Sequence, residues 1–346
     1  MSVSYTSILW NRQKKRYDMA LMMMVLGFIA LFFISHLLLH PTATFETILI
    51  RCFAWLALLL LHVILAIGPL SRFDRRFLIV LYNRRHLGVT MFLMAAIHGL
   101  FSMMNFHALS NMNPVRSVFL SNLRYDSLAH FPFQVLGFLA LVILALMATS
   151  SHDFWLKNLG VRTWKALHMM VYLAYGLILM HVVLGGLQNE ASPAIFGIVM
   201  IGFIGITSLH LMAGWKEWKS DRLFEKNQDQ FIVACDLSDL EEDRAKVIAL
   251  SDERVAIFKY DGKVSAISNA CRHQGGPLGE GRIVDGCVTC PWHGYQYLPG
   301  NGQSPPPFTE KVETYHLKVE GTTLMIDPKP NEPGTPVAPL LVPDEK

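Results

Sequence analysis

Residues 271–297 read CRHQGGPLGEGRIVDGCVTCPWHGYQY. Three of the chain's five cysteines, Cys271, Cys287 and Cys290, fall inside this stretch, clustered as metal ligands are. Two histidines stand with them, as Cys271-x-His273 and, after an interval of sixteen residues, Cys290-x-x-His293. Thiolate and neutral imidazole suit zinc or an iron–sulfur cluster, so a zinc site on these four residues is one reading. A redox pair at Cys287-x-x-Cys290 is another, but the strand–helix context of a thioredoxin-like unit is missing. Cys287 reads instead as a buried strand residue, as Cys235 and Cys52 read as small buried apolar residues.

The surroundings are β-rich. Short runs at Phe231–Ala234, Val255–Tyr260, Val264–Ser268, Leu317–Val319 and Thr323–Ile326 are separated by turn signals such as Asp261-Gly262 and Glu320-Gly321. They predict an antiparallel β-domain over 231–328, entered by a linker at 215–230 and followed by a Pro-rich, disordered tail at 329–346.

The cysteine and histidine spacing resembles the Rieske signature, and the likeness covers nearly this whole domain. It implies a [2Fe-2S] cluster with one iron on Cys271 and Cys290 and the other on His273 and His293; the histidines raise the potential. Rieske proteins of quinol-oxidising cytochrome complexes brace the two ligand loops with a disulfide, at positions held here by Gly276 and Trp292. They also carry a serine where Tyr295 stands, while their tyrosine is kept as Tyr297. Fewer hydrogen bonds to the cluster sulfurs lower the potential. The domain therefore resembles the ferredoxin and oxygenase type, and the missing brace suits a reducing cytoplasm.

Upstream the composition changes. The chain of 346 residues is 52% hydrophobic and only 16% charged, which excludes an ordinary soluble enzyme, a disordered chain and a collagen-like one. Residues 1–219 hold 17 Lys and Arg against 7 Asp and Glu, and residues 220–346 hold 13 against 20. No basic run carries interleaved aromatics, so nucleic acid is excluded as a partner. Six stretches are apolar enough to span a bilayer: Tyr17–His40, Phe45–Leu70, His86–Leu109, Phe131–Ser150, Val161–Leu187 and Pro193–Gly214. The domain reading is a 1–16 tail and a 17–214 membrane domain whose lipid-embedded first span is an anchor, not a signal peptide. The predicted fold class is a membrane all-α six-helix haem-binding bundle followed by an all-β iron–sulfur domain. Lys and Arg flank the spans fifteen to two in favour of one side. By the positive-inside rule both termini and the β-domain are cytoplasmic, in the inner membrane of a bacterium.

Histidine inside a membrane is costly and points to function. His98 lies about 20 Å and His181 about 24 Å from the cytoplasmic edge at 1.5 Å per residue, and His86 and His168 lie close to that edge. Two pairs at matched depths would hold one or two b-type haems. His168 and His181, however, stand about 140° apart on an ideal helix, so a shared face requires a bulge or kink. Gly68-Pro69-Leu70-Ser71-Arg72, Arg84-Arg85-His86-Leu87-Gly88 and Leu167-His168 through Val171-Tyr172-Leu173 to His181 resemble the ferric-reductase-like transmembrane family. Within it, the likeness is strongest to the haem-binding membrane subunit of the bacterial periplasmic methionine sulfoxide reductase system. The resemblance implies haem ligands at His98, His168 and His181. His86 stands where two-haem oxidases carry a ligand, whereas the methionine sulfoxide subunit has none.

His36 and His40, four apart near the outer end of the first span, have metal-binding spacing but also suit an interfacial helix end. His62, His107 and His210 read as structural, and Arg51 as a snorkelling residue or a haem propionate partner. The leading reading is a membrane oxidoreductase passing single electrons between the cluster and haem, towards an outer-face acceptor or a quinone. Family members typically attach a flavin and NAD(P)H domain, but no G-x-G-x-x-G follows a strand here, so a cytosolic reductase or ferredoxin, or quinol, supplies the electrons. The alternatives are a membrane-anchored Rieske monooxygenase, for which the stretch after Pro328 is too short to hold the mononuclear iron domain, and a non-catalytic redox-sensing membrane protein.

Overall fold

The computed structural model describes residues 12–77, 80, 81, 83–108, 111–151, 153–188, 193–222, 231–250, 253–273, 275–292 and 294–342. The chain divides into two compact units. One comprises residues 12–70 and 83–210; the other joins 71–82 and 211–346.

The first unit is helical. Its elements are α1 (Arg12–Leu39), most of α2 (Phe45–Phe73), α3 (Arg84–His107), the short α4 (Pro114–Leu120), α5 (Phe133–Thr149), α6 (Asp153–Met169), α7 (Val171–Gln188) and most of α8 (Pro193–Arg222). Among the described residues, five helical stretches are long and apolar enough to cross a membrane: Lys15–Leu39, Phe45–Phe73, Arg84–His107, Thr163–Gly186 and Ile195–Lys219. The fourth expected span is an apolar helix of 17 residues, because Pro132 sits at its N-cap and leaves Phe131 outside. The fifth is interrupted at Met170, between His168 and His181, which divides it into α6 and α7.

Small residues bring the helices together, as they do where lipid removes any hydrophobic drive for helix association. A Cβ on Gly99 would lie 2.7 Å from Leu141, and one on Gly185 would lie 2.9 Å from Phe133. Outward-facing apolar side chains are abundant, with Leu38 76% and Ile201 73% exposed, the surface expected of a bundle solvated by lipid.

Among the described residues, the second unit is built on three antiparallel sheets. The first runs β1 (Ile232–Asp236), β10 (Thr323–Ile326), β9 (Leu317–Glu320), and the second β11 (Leu340–Leu341), β4 (Lys263–Ser268), β3 (Arg254–Tyr260), β2 (Ala245–Ala249), with β8 (Thr314–Tyr315) also on β4. The third runs β5 (Arg282–Val284), β6 (Cys287–Thr289), β7 (Gln296–Tyr297). Strand β3 lies at the centre. Val255, Ala256, Ile257 and Phe258 are all fully buried, and alternation sends Val255 and Ile257 into one apolar cluster and Ala256 and Phe258 into another. Asp261-Gly262 and Asp285-Gly286 have positive φ at both residues, the geometry that a two-residue hairpin turn demands.

Two expectations are corrected. The first eight residues assigned to the linker, 215–222, continue α8 through Arg222; residues 223–230 lie outside the described residues. The tail is ordered through Val342, because its backbone finds partners along the domain. Asn331 N donates to Thr314 O at 2.9 Å, Val337 N to Gly300 O at 2.8 Å, and β11 pairs with β4.

Within this unit, Glu217 of α8 accepts from Arg72 at 2.8 Å and from Arg254 of β3 at 3.2 Å, and Lys216 Nζ donates to Arg72 O at 2.6 Å. Glu280 lies in the field of the same group. Burial pushes its carboxyl up from 4.5 to about 7, with Glu217 adding to the rise and Arg72 and Arg254 opposing it. The folded protein thus holds this proton more tightly than the unfolded chain. The stabilisation is fully present below about pH 4.5 and is lost as pH rises through about 7. Glu280→Gln is expected to raise the thermal midpoint of cluster bleaching relative to wild type at pH 8, with a smaller difference at pH 5.

Candidate functional site

Cys271 and Cys290 are 2% and 1% exposed and belong to one buried cluster at the ligand loops. The two loops repeat one another. Gly275 N donates to Cys271 O at 2.6 Å and Cys271 N to Gly276 O at 2.9 Å; Gly294 N donates to Cys290 O at 2.9 Å and Cys290 N to Tyr295 O at 2.8 Å. Gly275 and Gly294, with φ of 67° and 72°, turn each loop back under its cysteine. A Cβ on Gly276 would lie 2.8 Å from Cys290 Sγ and 3.1 Å from the Trp292 ring. The two positions of the absent disulfide brace therefore do face one another, filled by an indole over a glycine.

The Nδ1 atom of His273 is buried, and its ring stacks on Tyr295 with centroids 4.8 Å apart and planes 9° from parallel. The Tyr295 hydroxyl donates to Glu310. Tyr297, fully buried, places its hydroxyl 3.5 Å from Cys271 Sγ and accepts from Arg272 N at 2.9 Å, while Arg272 pairs with Glu313. Burial, reinforced by the charge of Cys271, pushes the Tyr297 phenol far up, so it keeps its proton for the sulfur. Buried Cys235 and Cys287 are pushed up to about 11 by the same desolvation and are inert thiols. His293 lies outside the described residues. Two buried thiols, a buried imidazole nitrogen and a sulfur-directed hydroxyl on mirrored loops fit a [2Fe-2S] cluster. The stack of Tyr295 on His273 was not legible in sequence; the replacement of serine at that position was the available signal.

In the helical unit the structure brings His98 of α3 and His181 of α7 together, with ring centroids 6.3 Å apart and planes at 76°. His98 Nδ1 bonds to Ile50 O at 3.0 Å and His181 Nδ1 to Phe133 O at 2.8 Å, which fixes both rings and leaves Nε2 for a ligand bond. That separation leaves room between the rings for a metal ion that the two Nε2 atoms would hold. Gly137 of α5 makes room: a Cβ there would lie 2.7 Å from His181 Nδ1.

No ring contact joins His86 to His168 among the described residues. His86 Nδ1 bonds to Asp18 of α1 at 2.6 Å. His168 stacks on Trp164 at 3.9 Å, its Nδ1 bonds to Trp164 O at 3.0 Å, and its Nε2 lies 3.4 Å from Ser151 Oγ. His62 bonds to Tyr175 at 3.1 Å, His210 to Tyr172 at 3.1 Å and His107 to Ser117 at 2.9 Å, so all three have structural partners.

A family model for the Rieske [2Fe-2S] domain matches residues 230–316, and one for the ferric reductase like transmembrane component matches residues 51–179. The chain thus belongs to the Rieske proteins through its C-terminal domain. That domain is fused to a ferric-reductase-like membrane domain, and the whole is a membrane redox protein with an electron-transfer role. The ferredoxin component of an alkene monooxygenase system from Xanthobacter autotrophicus is 28% identical over 107 residues, 31% of this chain and 88% of that protein. The ferredoxin subunit of a biphenyl dioxygenase from a Pseudomonas species is 31% identical over 100 residues, 28% of this chain and 91% of that protein. The ferredoxin of carbazole 1,9a-dioxygenase from Nocardioides aromaticivorans superposes with a TM-score of 0.28 at 23% identity, covering 29% of this chain and 100% of that one.

A hydrogen bond to a cluster sulfur stabilises the reduced state, and losing about 1 kcal/mol of it corresponds to about 40 mV in a one-electron couple. Tyr297→Phe is expected to lower the cluster potential by about that amount with the iron content unchanged, as read by redox titration followed by electron paramagnetic resonance (EPR).

Proposed function

We propose that this chain passes single electrons between a [2Fe-2S] cluster held by Cys271, His273, Cys290 and His293 and a b-type haem held by His98 and His181, towards an outer-face acceptor or a quinone. The observation that carries the haem assignment is the 6.3 Å spacing of the two histidine rings, each held through Nδ1 by a backbone carbonyl. The relatives named as ferredoxin components support a Rieske domain that exchanges electrons with a protein partner, here a cytosolic reductase or ferredoxin, or else with quinol. The charge asymmetry supports both termini and the β-domain on the cytoplasmic side of a bacterial inner membrane. The proposed division remains a membrane domain at 17–214 and a Rieske domain at 231–328.

When bound, haem supplies a one-electron iron centre within the bilayer. The chain's own part is to present two oriented imidazoles at one depth, with Ile50 and Phe133 fixing their tautomers and Gly137 sparing the space beside His181. A second haem on His86 and His168 would keep Asp18 as the orienting partner of His86 but require His168 to leave Ser151. The geometry favours one haem.

His98→Ala and His181→Ala are each expected to abolish the b-type absorbance while the cluster signal stays at the wild-type level. Unchanged spectra in both would overturn the assignment. Gly137→Ala, by displacing the His181 ring, is expected to reduce haem per chain at least twofold, counted against cluster iron.

A further inference from the structure

The histidine pair at the far end of α1 has no part in the electron path described above. Its helical hydrogen bond, His40 N to His36 O at 2.8 Å, continues the last turn of α1, so the two side chains occupy one face at i and i+4. Their ring centroids are 4.8 Å apart with planes at 47°. His36 Nε2 is buried and makes no hydrogen bond. A buried polar atom left without a partner in an apolar setting calls for an explanation.

Metal geometry supplies one. At about 3.1 Å from a metal to each ring centre, two rings 4.8 Å apart subtend about 100° at the metal, between the octahedral and tetrahedral angles. Histidines four apart on one helical face are an established way to present two imidazoles to a transition metal. Exposed His40 leaves the remaining coordination positions to water. The site also adjoins the haem ligands. Arg51 is an electrostatic neighbour of His36, and the residue before it, Ile50, gives its carbonyl to His98. The guanidinium works against a bare dication and makes the affinity moderate.

We infer that His36 and His40 form a binding site for a divalent transition-metal ion of the copper class, at the C-terminal end of α1. Binding does not depend on the electron-transfer reading.

The test is a Cu2+ titration of the full-length, tag-free, oxidised protein, followed by EPR. Wild type is expected to bind one Cu2+ per chain with nitrogen hyperfine structure. His36→Ala and His40→Ala should each weaken binding at least tenfold while haem and cluster contents stay at wild-type levels. No saturable wild-type site, or wild-type binding in both variants, overturns the proposal. His98→Ala separates the two readings: loss of haem with Cu2+ retained supports both, and retained haem with Cu2+ retained counts against His98 as a haem ligand while the copper site stands.

Discussion

An imidazole placed in a bilayer must find a partner for its polar nitrogens, because hydrocarbon offers none. That constraint organises the helical unit. Tyr175 and Tyr172 on α7 serve His62 and His210, Ser117 serves His107, and Asp18 serves His86. For His98 and His181 the partners are backbone carbonyls on neighbouring helices, Ile50 and Phe133, which settle the tautomer of each ring without adding charge. Two neutral imidazoles held this way at one depth are suited to a metal between them, and the tight approach of α5 through Gly137 keeps them in place.

The cluster loops meet the same kind of demand with different means. Here the buried groups are thiols, and the loops satisfy their own backbone by a repeated pattern around Gly275 and Gly294. With Trp292 over Gly276 in place of a covalent brace, the loops are held by packing and by the pairs Arg272–Glu313 and Tyr295–Glu310. Such a site depends on its surrounding core, which is why β3, buried on both faces, sits at the centre of the domain.

Much of this was legible in the sequence because the signals are local. The strands at Val255–Tyr260, Val264–Ser268 and Thr323–Ile326 appear within one residue of the expected bounds, and Asp261-Gly262 forms the expected turn. The depth match of His98 and His181 also emerged from counting residues, since rise per residue is constant along a helix. What escaped depends on partners remote in the chain. The tail from Asn331 reads as disordered by composition yet is ordered by hydrogen bonds to Thr314, Val312 and Gly300. Composition likewise ended the last span at Gly214, although the helix runs on through a polar stretch whose Glu217 is held by two arginines. Matched depth paired His86 with His168; in the structure His86 Nδ1 bonds to Asp18 at the head of α1, and His168 lies against Trp164 and Ser151.

The central claim is that one chain carries two kinds of one-electron centre. An anaerobic optical redox titration of the detergent-solubilised protein, with haem and non-haem iron counted per chain, tests it most directly. The account predicts b-type haem bands that titrate as one step, separately from the cluster, with one haem and two non-haem irons per chain. A titration in which only the cluster responds, with no haem bound, would contradict it.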